Sequence, residues 1–182
     1  MIKLPSDFEL DRYGIHVRLV REEDAEFIVR LRTDPLLSRY LMHTDNDVDK
    51  QVNWIREYKK REAEGVEYYF IFFQNDKPIV LNRLHSIDWI HLTFTSASWI
   101  GVPGADYEAV MTCSVITEEI AYDILGLLVN YYDVRKGNKQ VLNFHRNIMK
   151  VYQYGETESD YLFMSTPETR KKWRLKKLLG LE

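Results

Sequence analysis

Cysteine is almost missing from this chain: Cys113 is the only one in 182 residues. One thiol cannot close an intramolecular disulfide, and no Cys/His spacing resembles a zinc site. Long apolar runs are missing too. The opening MIKLPSDFEL has no hydrophobic region of the secretory kind, so the expected protein is cytoplasmic and not a membrane protein. Charge of one sign is also lacking. Lys and Arg total 25 against 28 Asp and Glu, a net charge of -3, which gives no reason to expect nucleic acid or an anionic membrane as partner. Neither G-x-x-x-x-G-K-[ST] nor G-x-G-x-x-G occurs, which argues against phosphoryl-transfer and dinucleotide enzymes. With no repeat, low-complexity tract or linker, the whole of residues 1–182 is expected to form one domain.

What is present is the composition of an ordinary globular domain. Hydrophobic residues make up 45% and charged residues 29%, in a chain long enough for a sizeable core. IHVRLV (15–20) alternates as a strand, and REEDAEFIVRLRTD continues as a helix with an acidic first turn. DVDKQVNWIREYKKREAEG reads as a second helix, capped by Asp47 or Asp49 and stopped at Gly65. YYFIFF (68–73) is apolar throughout, as a strand covered on both faces would be. QNDKP is a hairpin turn into IVLNRLHSI, and HLTFTSASWIGV is a further strand.

Apolar spacing at Met111, Val115, Ile116, Ile120 and Ile124 predicts a long amphipathic helix from about 108 to 124. The strand LLVNYYDV leads through RKG to Asn138, a good N-cap, and a helix follows whose inner face carries Val141, Phe144, His145 and Ile148. KVYQYGE and DYLFMST form a terminal strand pair. STPETRKKWRLKKLL closes the chain as a basic helix with Arg170, Lys171, Lys172, Arg174, Lys176 and Lys177 around Trp173. Its start is either a Ser165/Glu168 capping box or Thr166 followed by Pro167. The sum is an α/β (α+β) domain around a mixed sheet.

From about Val17 to Met164 this order resembles the GNAT superfamily of acetyl-CoA-dependent N-acetyltransferases. The resemblance is carried by DVRKGNKQVLNFH, with Val134, Asn138 and His145 in place; by VRLVREEDAEFIVRLRTD; and by SWIGVP followed by a helix and LGL. LSRYL with QVNWIREYKKREAEGVEYYFI resembles the branch that includes aminosugar and protein N-terminal acetyltransferases. The resemblance implies a mostly antiparallel sheet of about seven strands, splayed at a cleft for acetyl-CoA. It implies cofactor contacts at Ile100, Gly101 and Val102, at Tyr107, Glu108, Ala109, Val110, Met111 and Thr112, and at Asn138 and Phe144. His145 takes the place of the acid that returns a proton to the CoA thiolate. Where the family has Arg or Gln, then Gly, then Gly or Ala in its pyrophosphate loop, this chain has Asp106, Ala109 and Met111, so the loop reads as degenerate.

Each of these residues has an ordinary alternative. Asn138 caps a helix whatever else it does, His145 can be a satisfied core histidine, and Asp106 can cap an ordinary helix start. Arg83 and His85 share one strand face at period two and, with Ser98, are the candidates for holding the acceptor. Asp88 and His91 are open as water-mediated bases, and no carboxylate is singled out. The implied function is acetyl transfer to a primary amine, favouring a free or nucleotide-linked aminosugar, with a protein N-terminal amine as another acceptor. The alternative is a GNAT-fold binding or assembly module without acetyl transfer. The expected partner is a small-molecule amine, with a homodimer left open; the basic last helix reads first as a solvated amphipathic helix, and otherwise as a surface for the CoA 3′-phosphate, an acidic partner or a second subunit; no metal is expected.

Overall fold

The structure, a computed structural model, describes residues 2–173 and 175–181. Arg174, assigned above to the last basic helix, lies outside the described residues.

Two tight turns build the first half of the sheet. Tyr13 and Gly14 have φ of 53° and 72°, and Asn75 and Asp76 have φ of 49° and 59°. Consecutive left-handed residues match the twist of antiparallel strands, so each pair closes a hairpin. The first joins β1 (Glu9–Arg12) to β2 (Ile15–Leu19), and the second joins β3 (Tyr68–Gln74) to β4 (Lys77–Asp88). β5 (Thr93–Gly101), β6 (Val129–Arg135), β7 (Tyr152–Glu156) and β8 (Asp160–Ser165) complete an eight-stranded sheet of order β1-β2-β3-β4-β5-β6-β8-β7. The strand beyond the expected seven is β1. Its sequence ELDR carries one inward residue, Leu10, and three charges, so it has no alternating apolar signal. Every neighbouring pair is antiparallel except β5 and β6.

The apolar run of β3 is buried on both faces, as its composition predicts. Tyr68, Phe70 and Phe72 join Val17, Val80, Leu84, Ile116 and Ile120 in the larger core, under α3 (Tyr107–Glu119). Tyr69 and Ile71 face the opposite way, into a second core with Ile28 of α1 (Ala25–Arg32) and Ile55 and Tyr58 of α2 (Val48–Glu64). Asp47 caps α2 by accepting from the Lys50 N–H at 3.0 Å, and Gly65 ends it at φ 77°. α3 does not run straight to residue 124. Ile120–Ile124 is a π turn, closed by the Leu125 N–H on the Ile120 carbonyl at 2.9 Å. α4 (Lys139–Asn143) ends in a second π turn, Phe144–Ile148. The last basic helix is in fact two short ones, α5 (Pro167–Lys171) and α6 (Leu175–Leu178). Thr166 caps α5, because Ser165 is buried in β8 beside the Tyr122 hydroxyl at 3.1 Å. Among the described residues no helix is long and apolar enough to cross a membrane.

Phe72 is fully buried between β2, β4 and α3. Phe72→Ala should cost about 3–5 kcal/mol, seen as a lower urea midpoint at unchanged slope.

Candidate active site

β5 and β6 are paired at Thr93↔Val129 and Phe94↔Asn130 and nowhere beyond. They then part. A bulge in β5 accompanies the parting: Ser98 has φ 55°, and Ser98 and Trp99 together lie opposite Asn82 between the pairs Leu81↔Ile100 and Arg83↔Ala97. Opening a ladder strands backbone donors, and a buried unpaired N–H is costly. Asn130 deals with the first of them. It is 2% exposed, and its Oδ1 accepts from the Ser96 N–H at 2.9 Å. A polar chain continues from this point. The Ser96 hydroxyl donates to Asn82 Oδ1 at 3.4 Å, Asn82 Nδ2 donates to the Thr117 hydroxyl at 3.1 Å, and Thr117 donates to the Cys113 carbonyl at 2.9 Å. The floor of the opening is therefore polar although the core around it is apolar.

The opening widens into a cleft of 1510 Å³. α3 presents one stripe to it: Tyr107, Val110, Met111, Ser114, Thr117 and Glu118, at helical spacing. Of the contacts implied above on this helix, Tyr107, Val110 and Met111 line the cleft. Glu108, Ala109 and Thr112 do not: Glu108 turns to solvent, and Ala109 and Thr112 are buried on the flanks. Asp106 caps α3, its Oδ2 accepting from the Ala109 N–H at 3.0 Å, while the Val110 N–H goes to the Asp106 carbonyl at 2.9 Å. Those two backbone donors are thus engaged. The Val102 N–H, at one of the implied cofactor contacts, is also engaged, on Ile79 O at 2.8 Å. Ile100, Gly101 and Val102 nevertheless line the wall, as do Ser98, Asn138, Phe144 and His145. Asn138 acts as the cap, accepting from the Val141 N–H at 3.4 Å.

His145 sits on the π turn after α4, packed among Tyr132, Phe144 and Phe163. Its Nδ1 is 3.0 Å from the Tyr132 hydroxyl. Burial pushes its pKa down to about 4, so the imidazole is neutral near pH 7. The opposite wall is formed by α1, α2 and the segment between them. Arg32 donates to Thr44 Oγ1 at 2.8 Å and to the Met42 carbonyl at 3.3 Å. Tyr40 reaches across the mouth to the Gly137 carbonyl at 2.9 Å. Arg83 and His85 line the same wall. Arg83 leans on the buried Glu67 at 3.4 Å and lies over Trp54, and its Nε finds no partner among the described residues. Burial, then the Arg83 charge, holds the His85 pKa below its ordinary value. Asp88 and His91 bond each other at 2.7 Å and lie outside the cleft lining.

The carboxyl that sequence reading did not single out is Glu118. It is 7% exposed, lines the cleft floor, and its Oε2 has no hydrogen-bond partner among the described residues. Burial raises its pKa from 4.5 to about 8, against the pull of Arg170 and Tyr122. The helical pattern held no signal for it, because Glu119 beside it is buried as well and is fully paired with Arg12, Tyr13 and Lys176. Between pH 4.5 and 8 the folded chain keeps a proton on Glu118 that the unfolded chain has released, so this group makes stability fall as pH rises through that window. Glu118→Gln removes the effect. Its melting temperature, relative to wild type, should climb between pH 5 and 8 and level off above.

No protein-family model matches the sequence, and no curated protein matches it. Solved structures do. The spermidine N-acetyltransferase of Vibrio cholerae, in complex with CoA and spermine, superposes with a TM-score of 0.74 at 17% identity, over 88% of this chain and 99% of its own. The ribosomal-protein-S5-alanine acetyltransferase of Vibrio fischeri gives 0.73 at 11%, over 88% and 97%. At those identities the likeness is one of fold. FdhC in its apo form, a nucleotide-linked sugar GNAT, reaches 0.84 at 31% identity over 97% of this chain and 99% of its own. A match of that identity over nearly the whole of both chains makes this chain a member of the GNAT superfamily of N-acetyltransferases.

Proposed function

We propose that the protein transfers the acetyl group of acetyl-CoA to the primary amine of an aminosugar carried on a nucleoside diphosphate. The observation behind this reading is the charge on the acceptor wall. Arg32, Arg39, Lys50 and Arg83 line it. Two of these cations already have carboxylate partners, Lys50 on Asp45 at 2.9 Å and Arg83 on Glu67 at 3.4 Å, which leaves Arg32 and Arg39 without one among the described residues. The Arg32 guanidinium meets only neutral oxygens in the hydrogen bonds it makes. Such a wall attracts a diphosphate and repels a polycation such as spermidine. The similarity to FdhC, a nucleotide-linked sugar GNAT, supports the same reading.

In this reading the amide-rich pantetheine arm lies in the parting of β5 and β6 and pairs with the strand edges like an added strand. Backbone N–H groups at the bulge of Ser98 and Trp99 are the donors offered to the thioester carbonyl, where negative charge develops. The pyrophosphate meets the start of α3, where the N–H groups of Tyr107 and Glu108 have no intrahelical partners. Asp106 is a repulsive neighbour there and lowers the affinity. His145, being neutral, does not act as an imidazolium; with the Tyr132 hydroxyl it relays a proton from the attacking nitrogen to the departing thiolate, and both side chains end as they began.

Thiol release from acetyl-CoA tests the reading with four acceptors: a nucleoside-diphosphate aminosugar, a free hexosamine, spermidine and a peptide amine. The nucleotide-linked sugar should show the highest kcat/KM. Arg32→Ala should raise its KM about tenfold, the equivalent of one charge-assisted hydrogen bond. A preference for spermidine or the peptide would overturn the reading. Asp106→Asn keeps the cap and removes the charge, and calorimetry should find acetyl-CoA bound about fivefold tighter, from ~1 kcal/mol of relieved repulsion.

A further inference from the structure

α3 ends with two adjacent glutamates that have opposite fates. Glu119 faces the N-terminal hairpin and α6, where Arg12, Tyr13 and Lys176 neutralise it. Glu118 lies about 100° further round the helix and faces the cleft. The charged and titratable groups around Glu118 come from three elements. Arg170 of α5 donates to the Glu118 backbone carbonyl at 3.3 Å, and its guanidinium is bound to Asp123 of the π turn at 2.8 Å. Tyr122 of the same turn and Tyr132 of β6 are its other titratable neighbours. Arg170 thus has its own carboxylate partner, and Glu118 is left with a shielded, unpaired oxygen at the polar floor of the parted strands.

We propose that Glu118 is the proton acceptor for the substrate ammonium, reached directly or through one water on the cleft floor; this rests on the acetyl-transfer reading above. A carboxyl that makes no structural ion pair and belongs to the cleft lining, its unpartnered Oε2 buried just beneath, is available for chemistry in a way that Glu119 is not. The acceptor arrives as R–NH3+ and gives one proton to the Glu118 carboxylate. The freed amine lone pair forms the N–C bond to the thioester carbonyl, the C–S bond then breaks, and the sulfur leaves with its electron pair. The second nitrogen proton ends on that sulfur by way of the Tyr132 and His145 pair, giving the amide and CoA–SH. Glu118 releases its proton to solvent before the next turnover. Burial supports the role, since a carboxyl with a pKa of about 8 is a much stronger base than an exposed one. The Tyr132 hydroxyl is 3.0 Å from His145 Nδ1, and the Glu118 charge helps raise the Tyr132 pKa, so Tyr132 is a neighbour common to the proton acceptor and the proton donor.

The test is the pH dependence of kcat/KM for wild type, Glu118→Gln and Glu118→Asp with the best acceptor, together with calorimetric titration of acetyl-CoA. Wild type should rise with pH through an apparent pKa near 8. Glu118→Gln should lose about 10²–10³-fold in kcat/KM, mostly in kcat, and lose that limb, while binding acetyl-CoA within about twofold of wild type. Glu118→Asp should recover part of the rate. Retention of the rate within about threefold by Glu118→Gln, or a loss that follows acetyl-CoA affinity, would overturn the assignment and leave the acetyl-transfer reading intact. A wild type inactive on all four acceptors would overturn both. If Glu118→Gln does not fold, the wild-type profile decides, and the absence of an ionisation near 8 would count against the proposal.

Discussion

The hydrogen bond from the Ser96 N–H to the Asn130 side chain is the point on which the site depends. Up to Phe94 and Asn130, β5 and β6 form an ordinary parallel ladder. Beyond it, two strands that leave each other inside a core must either find new partners for their backbones or close again. The amide of Asn130 substitutes for the next ladder bond, and the bulge at Ser98 bends β5 away. The continuation through Asn82 and Thr117 ties the apex to α3. An apolar residue at 130 would leave the Ser96 donor stranded, and the least costly response would be a narrower cleft.

Much of this was legible because it lies in local chemistry. Asp47, Gly65 and Asn138 sit where helix starts and stops demand their residue types, and the double-faced apolar run of β3 declared a central strand. The parted strands were expected from family resemblance, and the structure places Arg83, His85, Ser98, Asn138, Phe144 and His145 around one opening. What escaped was long-range. β1 is three-quarters charged and is a strand because β2 offers it an edge. The side chains of Glu108, Ala109 and Thr112 turn off the cleft because the rotation of α3 about its axis is set by packing, and spacing alone cannot supply that angle.

Glu118 and Glu119 show the same limit more sharply. In sequence they are a pair of like residues at the end of a helix, with nothing to tell them apart. Arg12 and Lys176, which settle the charge of Glu119, are 107 and 57 positions away, and the parting of β5 and β6 settles the surroundings of Glu118. His145 follows the same rule. Its aromatic enclosure by Tyr132 and Phe163 comes from two other strands, and that enclosure keeps it neutral.

The π turns that end α3 and α4 bear on how the chain tolerates changes in length. A π turn holds one residue more than the α-helical geometry it interrupts, and reverting it to an α turn absorbs a single deletion. Between Ile120 and Ile124, or between Phe144 and Ile148, loss of one residue can be taken up locally. The same loss in the regular part of α3 turns every following side chain by about 100°, so that Glu119 takes the direction of Glu118 and Glu118 that of Thr117. Two neighbouring stretches of one helix are therefore open to very different histories of insertion and deletion.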